Sequence, residues 1–227
     1  MAERSARGEA LGSWRSPDYA RAWAAEDRVE ALLELPRGIS TAIVADTGVD
    51  VRHVVDLGSG PGAYLECFLR AFPEARGTWT DASEAMRELA AARLASFGDR
   101  VEYEIVDAEA LDEASLAPAD VVVSSRMLHH LPPESIARVY GAVHALLRPG
   151  GFFFNLDHIG VPDGWEPVYR RVRERFTGPR RERLAPHRHD YRLASPEEHL
   201  AWARQAGFAA FDTPWRAFFT VLVAARR

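Results

Sequence analysis

The residues with the clearest chemical purpose lie in Val54-Val-Asp-Leu-Gly-Ser-Gly-Pro-Gly62, where an apolar run ends on Asp56 and glycines follow at Gly58, Gly60 and Gly62 around Ser59. Glycine permits a tight turn and lets a ligand approach the backbone, and a helix starting behind it offers unpaired N–H groups. Gly58-x-Gly60-x-x-Ala63 also satisfies the dinucleotide fingerprint. Two residues argue against a pyrophosphate. Asp56 would repel it, and Pro61 removes a backbone donor that a phosphate would use. The turn suits a nucleotide-like ligand that is cationic and free of phosphate.

Side chains able to move protons near neutral pH are the histidines. There are eight, among them His129-His130, His158 in Asn155-Leu-Asp-His158, and the pair in His187-Arg-His-Asp-Tyr191. Every basic side chain is arginine, which excludes Schiff-base chemistry and a lysine base. Seven arginines fall between Arg170 and Arg183; they read as a solvated helix face, from which one or two are candidates to clamp a carboxylate.

The glycine turn has to join a strand to a helix, and 52–57 and 63–72 supply them. Further strands are expected at 77–80, 101–106, 119–125 and 151–156, and helices at 83–96 and 133–147. A leading helix is expected over 17–35, from Tyr19, Trp23, Val29, Leu32 and Leu33 at helical spacing, ended by Pro36. Ser195-Pro-Glu-Glu198 has the form of a capping box and starts a helix running to about 206. Segments 208–212 and 216–225 read as closing strands around a Thr213-Pro214 turn. Short apolar strands alternating with helices give a parallel sheet covered on both faces.

DLGSGPG resembles the first motif of the class I S-adenosylmethionine-dependent methyltransferases. Trp79-Thr-Asp-Ala-Ser-Glu-Ala-Met86 is similar to the family's second motif and Val106-Asp-Ala108 to its third-strand ending, while Asp120–Ser125, Met127–Leu131 and Leu147–Phe152 also resemble it. The likeness runs in order over about 50–156. It implies an α/β, Rossmann-like fold with a seven-stranded, mostly parallel sheet in the order 3-2-1-4-5-7-6, strand 7 antiparallel, helices on both faces and an N-terminal helical cap. The implied division is a cap region at 1–49 and a methyltransferase domain at 50–227 with a cap insertion at about 158–194. The implied cofactor is S-adenosyl-L-methionine. Its contacts would be Asp56, Gly58, Ser59, Gly60 and Gly62 at the turn, Asp81 at the ribose hydroxyls, Asp107 and Ala108 at the adenine and Met86 beneath it, with Ala82 and Ser124 nearby.

Methyl transfer is an in-line displacement in which positioning supplies much of the acceleration. A base is needed only where the acceptor carries a proton, as a hydroxyl does. His158, at the carboxyl edge of the fifth strand with Asp157 beside it, is the preferred base, and His129 is the second candidate. The His129-His130 pair resembles a feature common to the superfamily whatever the acceptor, so packing or cofactor shaping is its preferred role. The His187–Tyr191 segment reads as a polar connector in preference to a metal site, and no metal is expected. The same resemblance makes Tyr19, Trp23, Trp165 and Tyr169 candidate lid aromatics.

A net charge of −5 disfavours a nucleic-acid substrate, as does Ser124-Ser-Arg-Met127 where a base-modifying enzyme would carry an Asn/Asp-Pro-Pro-aromatic motif. The expected partner is a small-molecule acceptor, with no nucleic acid and no membrane, and a homodimer is open. Lone Cys67 and the lack of a signal-like or membrane-length apolar run point to the cytoplasm. Three functions fit: O- or N-methylation of a small molecule, other chemistry on the same cofactor, or a non-catalytic cofactor-binding subunit.

Overall fold

The computed structural model describes residues 16–25, 30–178 and 192–227. Helices α1 (Pro17–Ala25) and α2 (Glu30–Asp46) precede strand β1 (His53–Leu57). Then come α3 (Ala63–Ala71), β2 (Arg76–Asp81), α4 (Glu84–Leu94), β3 (Val101–Ile105), β4 (Ala119–Ser125), α5 (Pro133–Leu146) and β5 (Leu147–His158). Helices α6 (Trp165–Thr177) and α7 (Pro196–Ala206) and strands β6 (Ala210–Ala217) and β7 (Thr220–Arg226) complete the chain. One seven-stranded sheet has the order β3-β2-β1-β4-β5-β7-β6. β1 to β5 pair in parallel, and β7 runs antiparallel to both β5 and β6.

Consecutive apolar residues in the central strands feed two cores. Val54, Val121, Val123, Phe152 and Phe154 pack under α2, α3 and α4, while Val55, Val122 and Phe153 pack under α5 and α7. Covering both faces explains why these strands read as continuous apolar runs. No helix among the described residues is long and apolar enough to cross a membrane.

Three expectations about elements are corrected. Pro36 does not end a helix but lies within α2. Proline there forgoes an intrahelical bond, and the helix persists because its face buries Leu33 and Val44 in the core. β5 is longer than expected at both ends, because Leu147 pairs with Ala119 beyond an irregularity and Asp157 and His158 pair with Val221 and Thr220 of β7. Thr213-Pro214 is not the hairpin turn. It interrupts the register within β6, an edge strand where a missing N–H is tolerated, and the chain reverses at Phe218, whose φ is 57°.

Candidate cofactor and acceptor site

The glycine turn is fixed from below and from β2. Asp56 is fully buried and through Oδ2 accepts from the Ser59 hydroxyl at 2.6 Å and the Leu65 N–H at 3.0 Å. Its Oδ1 is buried with no hydrogen-bond partner. Burial pushes the carboxyl up to about 6, against the pull of those hydrogen bonds and of Arg37. The Trp79 indole N–H donates to Gly60 O at 2.8 Å, and the Gly60 N–H donates to Asp81 Oδ2 at 2.9 Å. Asp81 Oδ1 accepts from the Ser83 N–H at 2.9 Å. Burial raises the Asp81 carboxyl above its ordinary value, although its backbone hydrogen bonds oppose this.

Gly58 and Gly60 take φ values of 61° and 53°, a region that favours glycine. A β-carbon at Gly58 would overlap the Met127 side chain, whereas one at Gly60 would enter open space. That space is a cleft open to solvent. It brings together Gly58, Ser59, Gly60, Asp81, Ala82, Met86, Asp107 and Ala108. Asp107 also accepts from the Glu109 N–H and so caps the short 3₁₀ turn behind it. The remaining expected contacts lie behind the wall. Asp56 is under the turn, Gly62 precedes α3 beside Leu94, and Ser124 is buried in β4 with an Oγ that has no partner.

At the carboxyl edge of β4 and β5, Asp157 organises the histidines. Its side chain is fully buried; Oδ2 accepts from the His129 N–H at 2.8 Å, and Oδ1 meets His129 Nδ1 at 2.5 Å. Oδ1 also accepts the His158 backbone N–H at 2.8 Å. Burial pushes this carboxyl up, but the charge and hydrogen bond of His129 and the charge of His158 prevail and hold it below its usual value. The ring expected to be oriented by Asp157 was that of His158, and here the structure differs. His158 Nδ1 lies 3.1 Å from the Thr220 hydroxyl, and burial, then the charge of His129, drives its imidazole well below the ordinary value. His129 is 8% exposed and sits between His130 and His158, with ring centroids 3.9 Å and 4.8 Å away. His130, not His129, lines the cleft.

Sequence reasoning missed Arg37 and Tyr64, which also line the cleft. Tyr64 follows the glycine motif and reads as a core aromatic. Arg37 was out of reach because Pro36 signalled the end of the helix that carries it.

Of the candidate lid residues, Trp165 and Tyr169 stack on α6 with ring centroids 5.3 Å apart, and Tyr169 meets Phe218 at 5.9 Å. Arg173, on the same helix, stands 4.3 Å from the Phe219 ring, which meets His158 edge-on. The side chains of Tyr19 and Trp23, and Arg180, Arg181, Arg183 and His187–Tyr191, fall outside the described residues. Among the described residues no group of three or more His, Cys, Asp or Glu side chains could hold a metal ion.

S-adenosylmethionine fits these residues. Gly60 leaves backbone-level space in the cleft, Asp81 presents a carboxylate to it for a ribose or other hydroxyl donor, and the buried Asp56 holds the turn from beneath with a carboxylate oxygen that no protein group meets.

A family model described as a methyltransferase domain matches residues 54–151. A ubiquinone biosynthesis O-methyltransferase of Cupriavidus pinatubonensis is 37% identical over 108 residues, covering 47% of this chain and 41% of that protein. One of Pseudomonas putida is 31% identical over 170 residues, covering 71% of this chain and 66% of its own length. The chain thus spans between two fifths and two thirds of these relatives. Among solved structures, an O-methyltransferase family protein from Burkholderia thailandensis superposes with a TM-score of 0.69 at 19% identity, over 93% of this chain and 59% of that one. Human N-acetylserotonin methyltransferase in complex with S-adenosylmethionine gives a TM-score of 0.62 at 18% identity, over 94% of this chain and 57% of that one. With the matched segment covering the glycine turn, β2 and the β4 edge, and with the sheet in the expected order, the chain belongs to the class I S-adenosylmethionine-dependent methyltransferases, whose cofactor is S-adenosylmethionine.

Proposed function

We propose that this protein transfers the methyl group of S-adenosylmethionine to a hydroxyl of a small molecule, with His129 taking the hydroxyl proton. The observation that carries the choice of base is the bond from buried Asp157 to His129 Nδ1. A carboxylate on Nδ1 fixes the ring's orientation and its tautomer, puts Nδ1 in the donor role, and assigns proton uptake to Nε2. The second bond from Asp157, to the His129 N–H, holds the backbone of the same residue, so ring and main chain are located by one carboxylate. The cofactor supplies a methyl group on a good leaving group. Gly60 and Asp81 line the cleft that binds and orients it, Asp56 holds the glycine turn from beneath, and the wall formed by Met127, His130 and Leu131 shapes the acceptor side.

A hydroxyl acceptor is supported by the names of the relatives, which are O-methyltransferases. A small molecule in place of nucleic acid is supported by the net charge of −5, and a cytoplasmic location by the single cysteine. In this reading residues 1–49 form a cap and the insertion at about 158–194 covers the acceptor; α6, within that insertion, leaves Trp165 and Phe176 exposed.

His129→Ala should lower turnover by about 10²–10⁴-fold with cofactor affinity unchanged, because a base acts only in the transition state. His158→Ala should cost less than about tenfold. The reverse pattern would return the role to His158, and loss in neither variant would leave catalysis to positioning alone.

A further inference from the structure

Three successive residues of β2 hold the glycine turn. The Gly60 N–H donates to Asp81 Oδ2 at 2.9 Å, the Ser59 N–H donates to Thr80 O at 2.8 Å, and the Trp79 indole N–H donates to Gly60 O at 2.8 Å. The bond to Thr80 uses main chain that any residue has, and Asp81 is part of the cofactor motifs. The bond from Trp79 needs a long side chain with an N–H at its end. Trp79 is fully buried in the core that also holds Ala85, Met86 and Leu94 of α4, with its ring 5.9 Å from that of Tyr103 on β3. Its N–H therefore reaches the turn from a close-packed frame.

The peptide after Gly60 leads into Pro61 and has no N–H. Its carbonyl is its single polar group. Gly60 has a φ of 53° and no side chain, and a β-carbon there would meet nothing within 4 Å. Neither sterics nor packing at this residue decides which way the carbonyl points. It can turn toward β2 or into the cleft, and the indole bond selects β2. In the other orientation the oxygen would take up space beside the turn that a ligand needs, and a carbonyl deprived of its donor turns to the open side, where water meets it.

We propose that Trp79 is a positioning residue for the cofactor: its indole N–H holds the Gly60 carbonyl out of the cleft, so that the turn has its ligand-binding form before the ligand arrives. The inference rests on the cofactor assignment above and not on the choice of base. It adds a contact that no ligand atom makes. Its effect is separable from packing, because a side chain of the same shape without the N–H keeps the core filled and releases the carbonyl.

The test is calorimetric titration of S-adenosylhomocysteine into the full chain, into Trp79→benzothienylalanine, in which sulfur replaces the indole N–H at nearly constant shape, and into Trp79→Phe, with thermal unfolding of each ligand-free protein. The isostere should unfold close to the wild type and bind about 5–30-fold more weakly, the loss of one hydrogen bond. Trp79→Phe also removes ring volume, so it should lose at least as much affinity and unfold at a lower temperature. An isostere that binds within about twofold of wild type would overturn the proposal, even if Trp79→Phe binds weakly, because Trp79 would then act by packing alone. Should Trp79→Phe fail to fold, the isostere decides by itself. In the wild type the Trp79 indole N–H should exchange slowly with deuterium before ligand is added; slow exchange in the complex alone would mean that the ligand sets the turn, which also overturns the proposal. A wild type that does not bind S-adenosylhomocysteine would overturn the cofactor assignment itself, and this inference with it.

Discussion

At the scale of single residues, the glycine turn and Asp56 divide the work of binding a cation. Gly60 keeps the cleft open at backbone level, and Asp56 holds the turn with one carboxylate oxygen and keeps the other unmet. Because burial raises its carboxyl to about 6, Asp56 in the ligand-free protein is mostly protonated below that pH, while a bound ammonium favours the ionised form. Cofactor affinity should therefore climb as pH rises from 5 to 7, by about tenfold, and level off above. Asp56→Asn should bind more weakly and lose this slope. Calorimetry at pH 5, 6 and 7 on both proteins checks it, and an identical slope in the variant would assign the titration to another group. His129 and His158 show the same lesson in the choice between neighbours. One imidazole has a carboxylate on its ring and the other a threonine hydroxyl, a difference of side-chain direction that a linear sequence does not carry.

At the scale of elements, α7 begins with a capping box in which the Glu198 N–H donates to Ser195 Oγ and Glu198 Oε2 accepts the Ser195 N–H. Ser195→Ala should cost about 1 kcal/mol of stability and leave cofactor binding unchanged, because α7 packs on the face opposite the glycine turn; urea unfolding with calorimetry separates the two. This box, the start of a helix at residue 83 and the strand ends at Asp56 and Asp81 were legible in the sequence because each depends on neighbours within a few residues. So was the sheet order, through the resemblance of ordered motifs. What was not legible rests on distant contacts. Pro36 has the local signature of a helix stop, and only burial of Leu33 and Val44 on either side keeps α2 continuous. Thr213-Pro214 has the signature of a turn, yet β7 continues the pairing on both sides of it. Arg37 reached the cleft wall only because α2 did not end, so one wrong element hid one site residue.

At the scale of the whole molecule, two buried titratable groups pull stability in opposite directions. Burial holds the His199 imidazole at about 4, so its contribution is full above the usual value near 6.5 and is lost as pH falls toward 4. Asp56, raised to about 6, does the reverse: its contribution is present below the ordinary carboxylate value and is lost as pH rises through 6. Between about pH 4 and 6 the two offset each other. His199→Phe removes one side. As pH falls from 6.5 to 4, the variant should gain on the wild type by on the order of 3 kcal/mol, the free-energy equivalent of the gap between 6.5 and about 4. Thermal unfolding of both proteins at pH 7, 5.5 and 4.5 reads the difference, and parallel curves would mean that His199 does not titrate with unfolding. At pH 7 the variant should be the less stable of the two, since Tyr140 loses the ring nitrogen 3.0 Å from its hydroxyl.

The cofactor assignment holds all three scales together, and one binding measurement bears on it most directly. Titration of the purified chain with S-adenosylhomocysteine and, separately, with NADH should give one equivalent of the first bound at micromolar strength or tighter and no heat from the second. Binding of NADH with no binding of S-adenosylhomocysteine or S-adenosylmethionine would contradict it, and would mean that Asp56 and Pro61 do not exclude a pyrophosphate from the glycine turn.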